Sequence, residues 1–259
     1  KISQKYGVSL TELLALNGKT QYSVLNIGDI ILLPQGVDNT KPYVTYSSYY
    51  VKSGETLWSI AEKWGIPYTE LCSINGMNDS TYLYAGQKLT IPIHHIPITY
   101  APDGYGEYLD WATQAQYVIP IGTVFKIVDF YTGKTYTAKR TTGANHADCE
   151  PYTSADTTVM KNIWGGTFSW DTRPILVVYN GRSIAASASS FGHAGNDSAA
   201  GGSYTTWRSG DYGAGYNFDW VKGNNYDGVF DIHFKNSTTH NTGKINSSHQ
   251  ANVKIAAGK

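Results

Sequence analysis

The chain repeats itself. At an offset of 58 residues and without a gap, Ile2 meets Ile60, Tyr6 meets Trp64, Gly7 meets Gly65, Thr11 meets Thr69 and Leu13 meets Leu71. Asn17 then meets Asn75, Gly28 meets Gly86, Leu33 meets Ile91 and Pro34 meets Pro92. Such a register marks two copies of one supersecondary unit, each of which must close its fold within about 50 residues. The second copy is whole. Tyr50-Val51 predicts a short strand, and Ser53-Gly54-Glu55-Thr56 a turn whose Thr56 caps a helix. Leu57, Ile60 and Ala61 share one face of that helix, and Gly65 ends it. A second helix is expected over Tyr68–Ile74, stopping at Asn75-Gly76, and a closing strand over Leu89–Ile91, stopped by Pro92. In the first copy Lys1 aligns with Ser59, so the opening strand and most of the first helix are missing, and the chain is expected to be a fragment of a longer protein.

The stretches YYVKSGETLWSIAEKWGI, LCSIN and AGQKLTIP closely resemble the LysM module. The resemblance implies a βααβ fold and binding of N-acetylglucosamine-containing chains such as peptidoglycan. It places the sugar contacts in the strand–helix turn and the loop after the second helix, here Gly54, Glu55, Thr56, Leu57, Met77 and Asn78. Turn chemistry and capping account equally well for Gly54 and Thr56. The expected division is a truncated module at 1–35, a linker at 36–48, a module at 49–93, a linker at 94–104 and a larger domain at 105–259. His94-His95, in the second linker, is an incidental pair on this reading.

Composition agrees with an extracellular, cell-wall-associated carbohydrate binder. Charged residues make up 15% of the chain, while it carries 21 Tyr, 7 Trp and 27 Gly. Aromatic rings stack on sugar faces, and amides and hydroxyls bond sugar OH groups. Lys plus Arg equals Asp plus Glu at 20 each, which argues against nucleic acid, whose affinity rests on neutralising phosphates. No apolar run approaches the roughly 20 residues that span a bilayer. Two cysteines, Cys72 and Cys149, make no disulfide framework.

The C-terminal part predicts a mostly antiparallel α+β domain. Thr123–Phe130 and Lys134–Thr141 read as one hairpin, and Pro174–Tyr179 with Arg182–Ser187 as another around Asn180-Gly181. Thr153–Asp156 reads as a capping box, the helix ending at Gly165-Gly166. Val229–Phe234 predicts a strand and Ser247–Ala257 a closing helix.

Five histidines lie here: His146, His193, His233, His240 and His249. In extended chain His146, Asp148 and Glu150 point one way, and imidazole plus carboxylate is a zinc-type donor set. His233, mid-strand beside Asp231, suits a third ligand. On this reading His146, Asp148 and His233 hold zinc, Glu150 or Asp231 is the general base, and loop-borne His193 stabilises the oxyanion or protonates the leaving amine. His240 is expected to be solvent-exposed and His249 structural. Segment 194–226 has little periodicity and borders this region, with Trp207, Tyr212, Tyr216 and Trp220 as candidates to line a groove.

NHADCEPYTSADT, RPILVVYNGRSIAAS, GHAG and DIHFKNSTTHNTG resemble a domain of LysM-bearing secreted clostridial proteins described as zinc-dependent amidases or peptidases of peptidoglycan. The chain departs from defined zinc signatures: it has no His-Glu-x-x-His, and Thr153 stands where a His-x(6)-Asp pair needs its acid. Two other readings compete. One is a cysteine hydrolase, with Cys149 at a helix start and His193 or His233 as its base. The other is a non-catalytic glycan-binding surface protein.

Overall fold

The computed structural model describes residues 2–6, 8–26, 29–33, 41–240 and 242–259. The repeat matches at Gly7, Gly28 and Pro34, and residues 36–40 of the first linker, lie outside them. The chain divides into two compact units, Lys1–Pro97 and Ile98–Lys259. Among the described residues no helix is long and apolar enough to cross a membrane.

In the first unit, the incomplete copy contributes α1 (Ile2–Lys5) and α2 (Leu10–Leu16). The complete copy runs β1 (Tyr43–Tyr50), α3 (Leu57–Trp64), α4 (Tyr68–Ile74) and β2 (Lys88–His95). Its local signals act as expected. Thr56 caps α3 by accepting from the Ser59 N–H, Ser59 returns the bond to the Thr56 N–H, and Gly65 closes the helix at φ 65°. Leu57, Ile60, Leu71, Leu89 and Ile91 form the core.

Two boundaries differ from the expected ones. β1 begins at Tyr43, so residues 43–48 are strand, and β2 passes through Pro92, paired with Tyr46, to His95. A two-stranded sheet is all edge, where proline is tolerated. As neighbours on a strand, His94 and His95 point apart: His94 pairs with Glu70 at 2.7 Å, and His95 bonds Thr45 at 2.8 Å and stacks on Tyr43.

The second unit opens with a π-helical turn at Trp111–Ala115 that runs into α5 (Gln116–Val118). Next come β3 (Val124–Asp129), β4 (Thr135–Thr142), β5 (Ala147–Pro151), α6 (Ser154–Ile163), β6 (Arg173–Tyr179) and β7 (Arg182–Ala188). The short pair β8 (Tyr204–Thr205) and β9 (Gly215–Tyr216), then β10 (Phe230–His233) and α7 (Ser247–Ala256), complete it. The β6–β7 turn places Asn180 at φ 48° and Gly181 at φ 74°, the conformation for which Asn-Gly is selected.

The larger domain is mixed α and β as expected, and its strands form a closed six-stranded barrel in the order β10-β5-β4-β3-β6-β7, every ladder antiparallel. Alternation divides its two faces. Phe125, Ile127, Tyr136, Ala138, Ala147, Cys149, Ile175, Val177, Ile184, Ala186, Phe230 and Ile232 belong to one buried cluster. Ala185, on the outer face of β7, packs instead against Ala256 and Ala257 at the end of α7. The outer faces of β5, β10 and β7 are therefore free to carry polar groups.

Candidate metal centre on the outer face of the barrel

Because Ala147 and Cys149 face inward, Asp148 and Glu150 face outward. Phe230 and Ile232 do the same for Asp231 and His233 on β10. The β5–β10 register then sets Asp148 directly opposite Asp231. Like charges across a ladder repel, and Asp148 is buried, so this face needs positive charge to balance it.

His146 stands between them. Its Nε2 is 3.1 Å from Asp148 Oδ1 and 3.2 Å from Asp231 Oδ1. Its Nδ1 lies 2.8 Å from the Thr238 carbonyl oxygen, which only accepts, so Nδ1 carries a proton and donates it there. That bond fixes the ring with Nε2 aimed at the carboxylates, the arrangement of a metal-binding imidazole. The cluster extends on both sides. His240 Nε2 lies 3.1 Å from Asp148 Oδ1, and His193 Nε2 3.6 Å from Asp231 Oδ1. The sequence His240–Asp148–His146–Asp231–His193 thus alternates imidazole and carboxylate.

A second line of contacts crosses it. The His146 ring stacks on His233 at 4.3 Å between centroids, and His233 stacks on His249 at 3.9 Å. His249 Nδ1 bonds Ser187 Oγ at 2.9 Å. His233 Nδ1 is buried without a hydrogen-bond partner among the described residues.

Charge follows this geometry. Burial opposes the His146 imidazolium, but Asp148 and Asp231 outweigh it and hold the ring protonated up to about pH 10. Burial likewise opposes ionised Asp148 and Asp231, yet the imidazoles hold both below the usual carboxylate range. Burial, then the neighbouring rings, keep His233 neutral, and burial lowers His249 to about 4.

Among the described residues, two donor sets have ligand atoms within 4.8 Å of one another, His146–Asp231–His233 and His146–Asp148–His240. The expected trio His146, Asp148 and His233 is thereby divided: His146 is common to both sets, His233 goes with Asp231, and Asp148 with His240. The donors suit a borderline cation such as zinc, and the orphaned His233 Nδ1 marks a polar site with unfilled bonding capacity.

Glu150 stands apart from both sets. Its carboxylate accepts from the Trp220 and Val221 N–H groups at 2.8 and 2.9 Å, which fastens segment 194–226 to β5. Burial pushes its pKa up to about 7. Further side-chain bonds order that segment: Asn217 donates to the carbonyls of Asn196, Ala199 and Ala200, and Asp219 accepts from the Gly228 N–H. Of the four groove candidates, Tyr212 has its ring against His193, at 5.5 Å, while the Trp220 ring covers Gly201 and Gly202. Trp207 and Tyr216 are exposed.

His240, His249 and Trp170 entered no expected set. His240 reaches Asp148 because segment 238–240 is stitched to the start of β5: the Thr238 N–H donates to Asn145 O, and Asn145 Nδ2 to Thr239 O. No local pattern announces such a pairing across more than 90 residues. Trp170 packs on Phe191 at 4.9 Å and on His193 at 5.3 Å.

The cysteine reading fails on position. Cys149 lies within β5, not at a helix start, and its fully buried side chain belongs to the core cluster. Burial first, and then the surrounding carboxylates, push the thiol far above its ordinary value, the opposite of an activated nucleophile.

At the positions expected to touch sugar, Gly54 takes φ 82° in an exposed turn, Thr56 is the α3 cap, and Asn78 is exposed. Leu57 is buried in the module core and Met77 packs against it. Glu55 accepts from Tyr49 OH at 2.7 Å and the Lys52 N–H at 2.9 Å, and pairs with Lys63 at 3.1 Å.

Residues 1–34 and 49–92 match the LysM domain family model, somewhat under a third of the chain. N-acetylmuramoyl-L-alanine amidase sle1 of Staphylococcus epidermidis is 36% identical over 91 residues, covering 35% of this chain and 27% of that protein. The probable peptidoglycan endopeptidase LytE of Bacillus subtilis is 34% identical over 97 residues, covering 35% of this chain and 28% of that protein. Among solved structures, the Bacillus cereus spore cortex-lytic enzyme SleL is 24% identical with a TM-score of 0.18, over 36% of this chain and 19% of that one. The chain thus spans about a quarter of the length of the curated relatives it matches. Two stretches that match the LysM domain, and likeness to proteins named as an N-acetylmuramoyl-L-alanine amidase and a probable peptidoglycan endopeptidase, are what relate it to known proteins.

Proposed function

We propose that this protein binds bacterial peptidoglycan through its LysM domains, outside the cytoplasm, and hydrolyses peptide or amide bonds of the wall at a zinc centre on the outer face of the barrel. The observation that carries the reading is Asp148 facing Asp231 across the β5–β10 ladder with His146 Nε2 within 3.2 Å of both. An alternating set of imidazoles and carboxylates on a largely buried face is costly to fold, so a cation that uses it is the economical explanation. The matched relatives, named as an N-acetylmuramoyl-L-alanine amidase and a probable peptidoglycan endopeptidase, support the amide- or peptide-bond part of this reading.

His146, Asp231 and His233 would hold the ion, with Asp148 and His240 beside it. When bound there, zinc supplies Lewis acidity, lowering the pKa of a water and polarising a carbonyl. The Thr238 carbonyl keeps His146 in its ligating orientation. In the reaction, a water oxygen bonds to the scissile carbonyl carbon, the C–N bond breaks, and the water's protons pass to the leaving nitrogen, leaving carboxylate and amine. His193, buried beside Asp231 with its Nε2 3.6 Å from Asp231 Oδ1, would hand a proton to that nitrogen.

The test is incubation of purified peptidoglycan with the full chain, with and without a zinc chelator, measuring newly released amino groups and soluble fragments. Release that chelation abolishes and added zinc restores is expected. Wall binding without release under any metal condition would contradict the hydrolase reading and leave a glycan-binding surface protein.

A further inference from the structure

Segment 208–216 packs against buried His193 through Gly210 and Tyr212 and is built around one side chain. The Arg208 guanidinium donates to the carbonyls of Tyr212, Gly213, Ala214 and Tyr216 at 2.9–3.2 Å. This is a guanidinium fork spent on a loop's own backbone, so the loop is shaped in advance. Two glycines make that shape sterically feasible. A Cβ at Gly215 would collide with the Arg208 guanidinium, and one at Gly210, already at φ 68°, would come within 2.9 Å of the His193 Cβ. Asp211 adopts φ 61°, a left-handed turn conformation that Asp tolerates better than most non-glycine residues.

The residue that this framework presents is Tyr212. Its ring stands 5.5 Å from the His193 ring, whose Nε2 is 3.6 Å from Asp231 Oδ1. Across His193, the Trp170 ring lies at 5.3 Å, so His193 sits between two half-exposed aromatics. The Tyr212 phenol is raised above its ordinary value, first by burial and then by the charges of Asp231 and Asp148. Its hydroxyl therefore keeps its proton in the working range and remains a donor.

Resting on the hydrolase reading above, we propose that Tyr212 is a further catalytic residue, whose hydroxyl donates a hydrogen bond to the scissile carbonyl oxygen as that oxygen gains charge, and that Arg208 is its positioning residue. No proton is transferred by Tyr212. It stabilises the developing oxyanion, and the phenol is unchanged after the C–N bond breaks. A pre-shaped donor of this kind acts on the transition state more than on the ground state.

The experiment compares the full-length parent with Tyr212→Phe, Arg208→Lys and the double variant, using soluble disaccharide-peptide fragments of the wall as substrate. Zinc content of each protein is measured in parallel. Tyr212→Phe is expected to lower kcat on the order of 10²-fold, with KM within about twofold and zinc content unchanged. Arg208→Lys is expected to lower kcat by a smaller factor and to have no further effect in the Tyr212→Phe background, because both act through one hydroxyl. Full kcat in Tyr212→Phe, or a change confined to KM, would overturn the catalytic assignment. Additive losses in the double variant would overturn the positioning role of Arg208. A parent that cleaves none of these fragments would overturn both this inference and the hydrolase reading, and the parent control alone distinguishes that failure from one specific to Tyr212.

Discussion

At the scale of single residues, the repeat encodes a bolt. Asn75 Nδ2 donates to Leu71 O and Thr90 O, each at 2.9 Å, while its Oδ1 accepts from the Thr90 N–H at 2.7 Å. Asn17 makes the same three bonds to Leu13 O, Leu32 O and the Leu32 N–H, in the same register 58 residues earlier. The matched asparagines thus tie the second helix to the closing segment in both copies. Asn75→Ala removes all three side-chain bonds at once, including both to the Thr90 backbone, and should cost about 1–3 kcal/mol of module stability in denaturant unfolding followed by tryptophan fluorescence. An unchanged midpoint would show that the bolt contributes nothing. Glu55 gives a pH signature. The Lys52 N–H first, then Tyr49 OH, lower its pKa from 4.5 to about 2. Because the folded value is depressed, its contribution is fully present above pH 4.5 and disappears as pH falls through about 2. Glu55→Gln should flatten that part of the stability profile, and a profile of unchanged shape would count against the tie.

At the scale of elements, period and punctuation made most of the fold legible. Helix α4 spans Tyr68–Ile74 and α3 runs from its Thr56 cap to Gly65, as the pattern alone dictates. The hairpins β3–β4 and β6–β7 follow from alternation and from turn residues. What local pattern does not carry is closure. That β10 pairs with both β5 and β7 to shut a barrel depends on contacts far apart in sequence, from Ile232–Ala188 to Ile232–Ala147, and Pro92 reads as a stop although an all-edge sheet accepts it. The N-terminal signal of α6 was partly legible. Thr153 caps it, but Asp156 accepts from the Thr137 N–H, a cross-element bond no local rule predicts. Strand β5 gives the sharpest element-scale test. Since Cys149 packs in the barrel core, it should resist alkylation in the native protein and react on unfolding, and Cys149→Ala should cost roughly 1 kcal/mol without slowing wall cleavage. Rapid native alkylation would place the thiol elsewhere. The turn before β5 is equally constrained. Gly143 takes φ 97°, and a Cβ there would collide with the His146 carbonyl and the Asp148 N–H. Gly143→Ala should destabilise the chain by about 1–3 kcal/mol and weaken zinc binding together, as read by thermal melts with and without zinc.

At the scale of the whole molecule, two N-terminal LysM domains accompany a barrel whose polar face gathers five histidines and two aspartates. Strand periodicity, which tells which residues share a face, singled out His146, Asp148, Glu150, Asp231 and His233 in the sequence, while His193 was singled out as loop-borne. His240 and His249 were not legible, because a loop and a helix bring them in through tertiary contacts. Glu150 sits on the anticipated face but spends its carboxylate on the Trp220 and Val221 N–H groups. The central question is whether this face holds a cation. The decisive measurement is elemental analysis of the purified full-length protein alongside His146→Ala, the residue common to both donor sets. About one zinc per chain in the parent and none in the variant is the predicted result. A parent without metal, even after zinc is supplied and the excess removed, would contradict it.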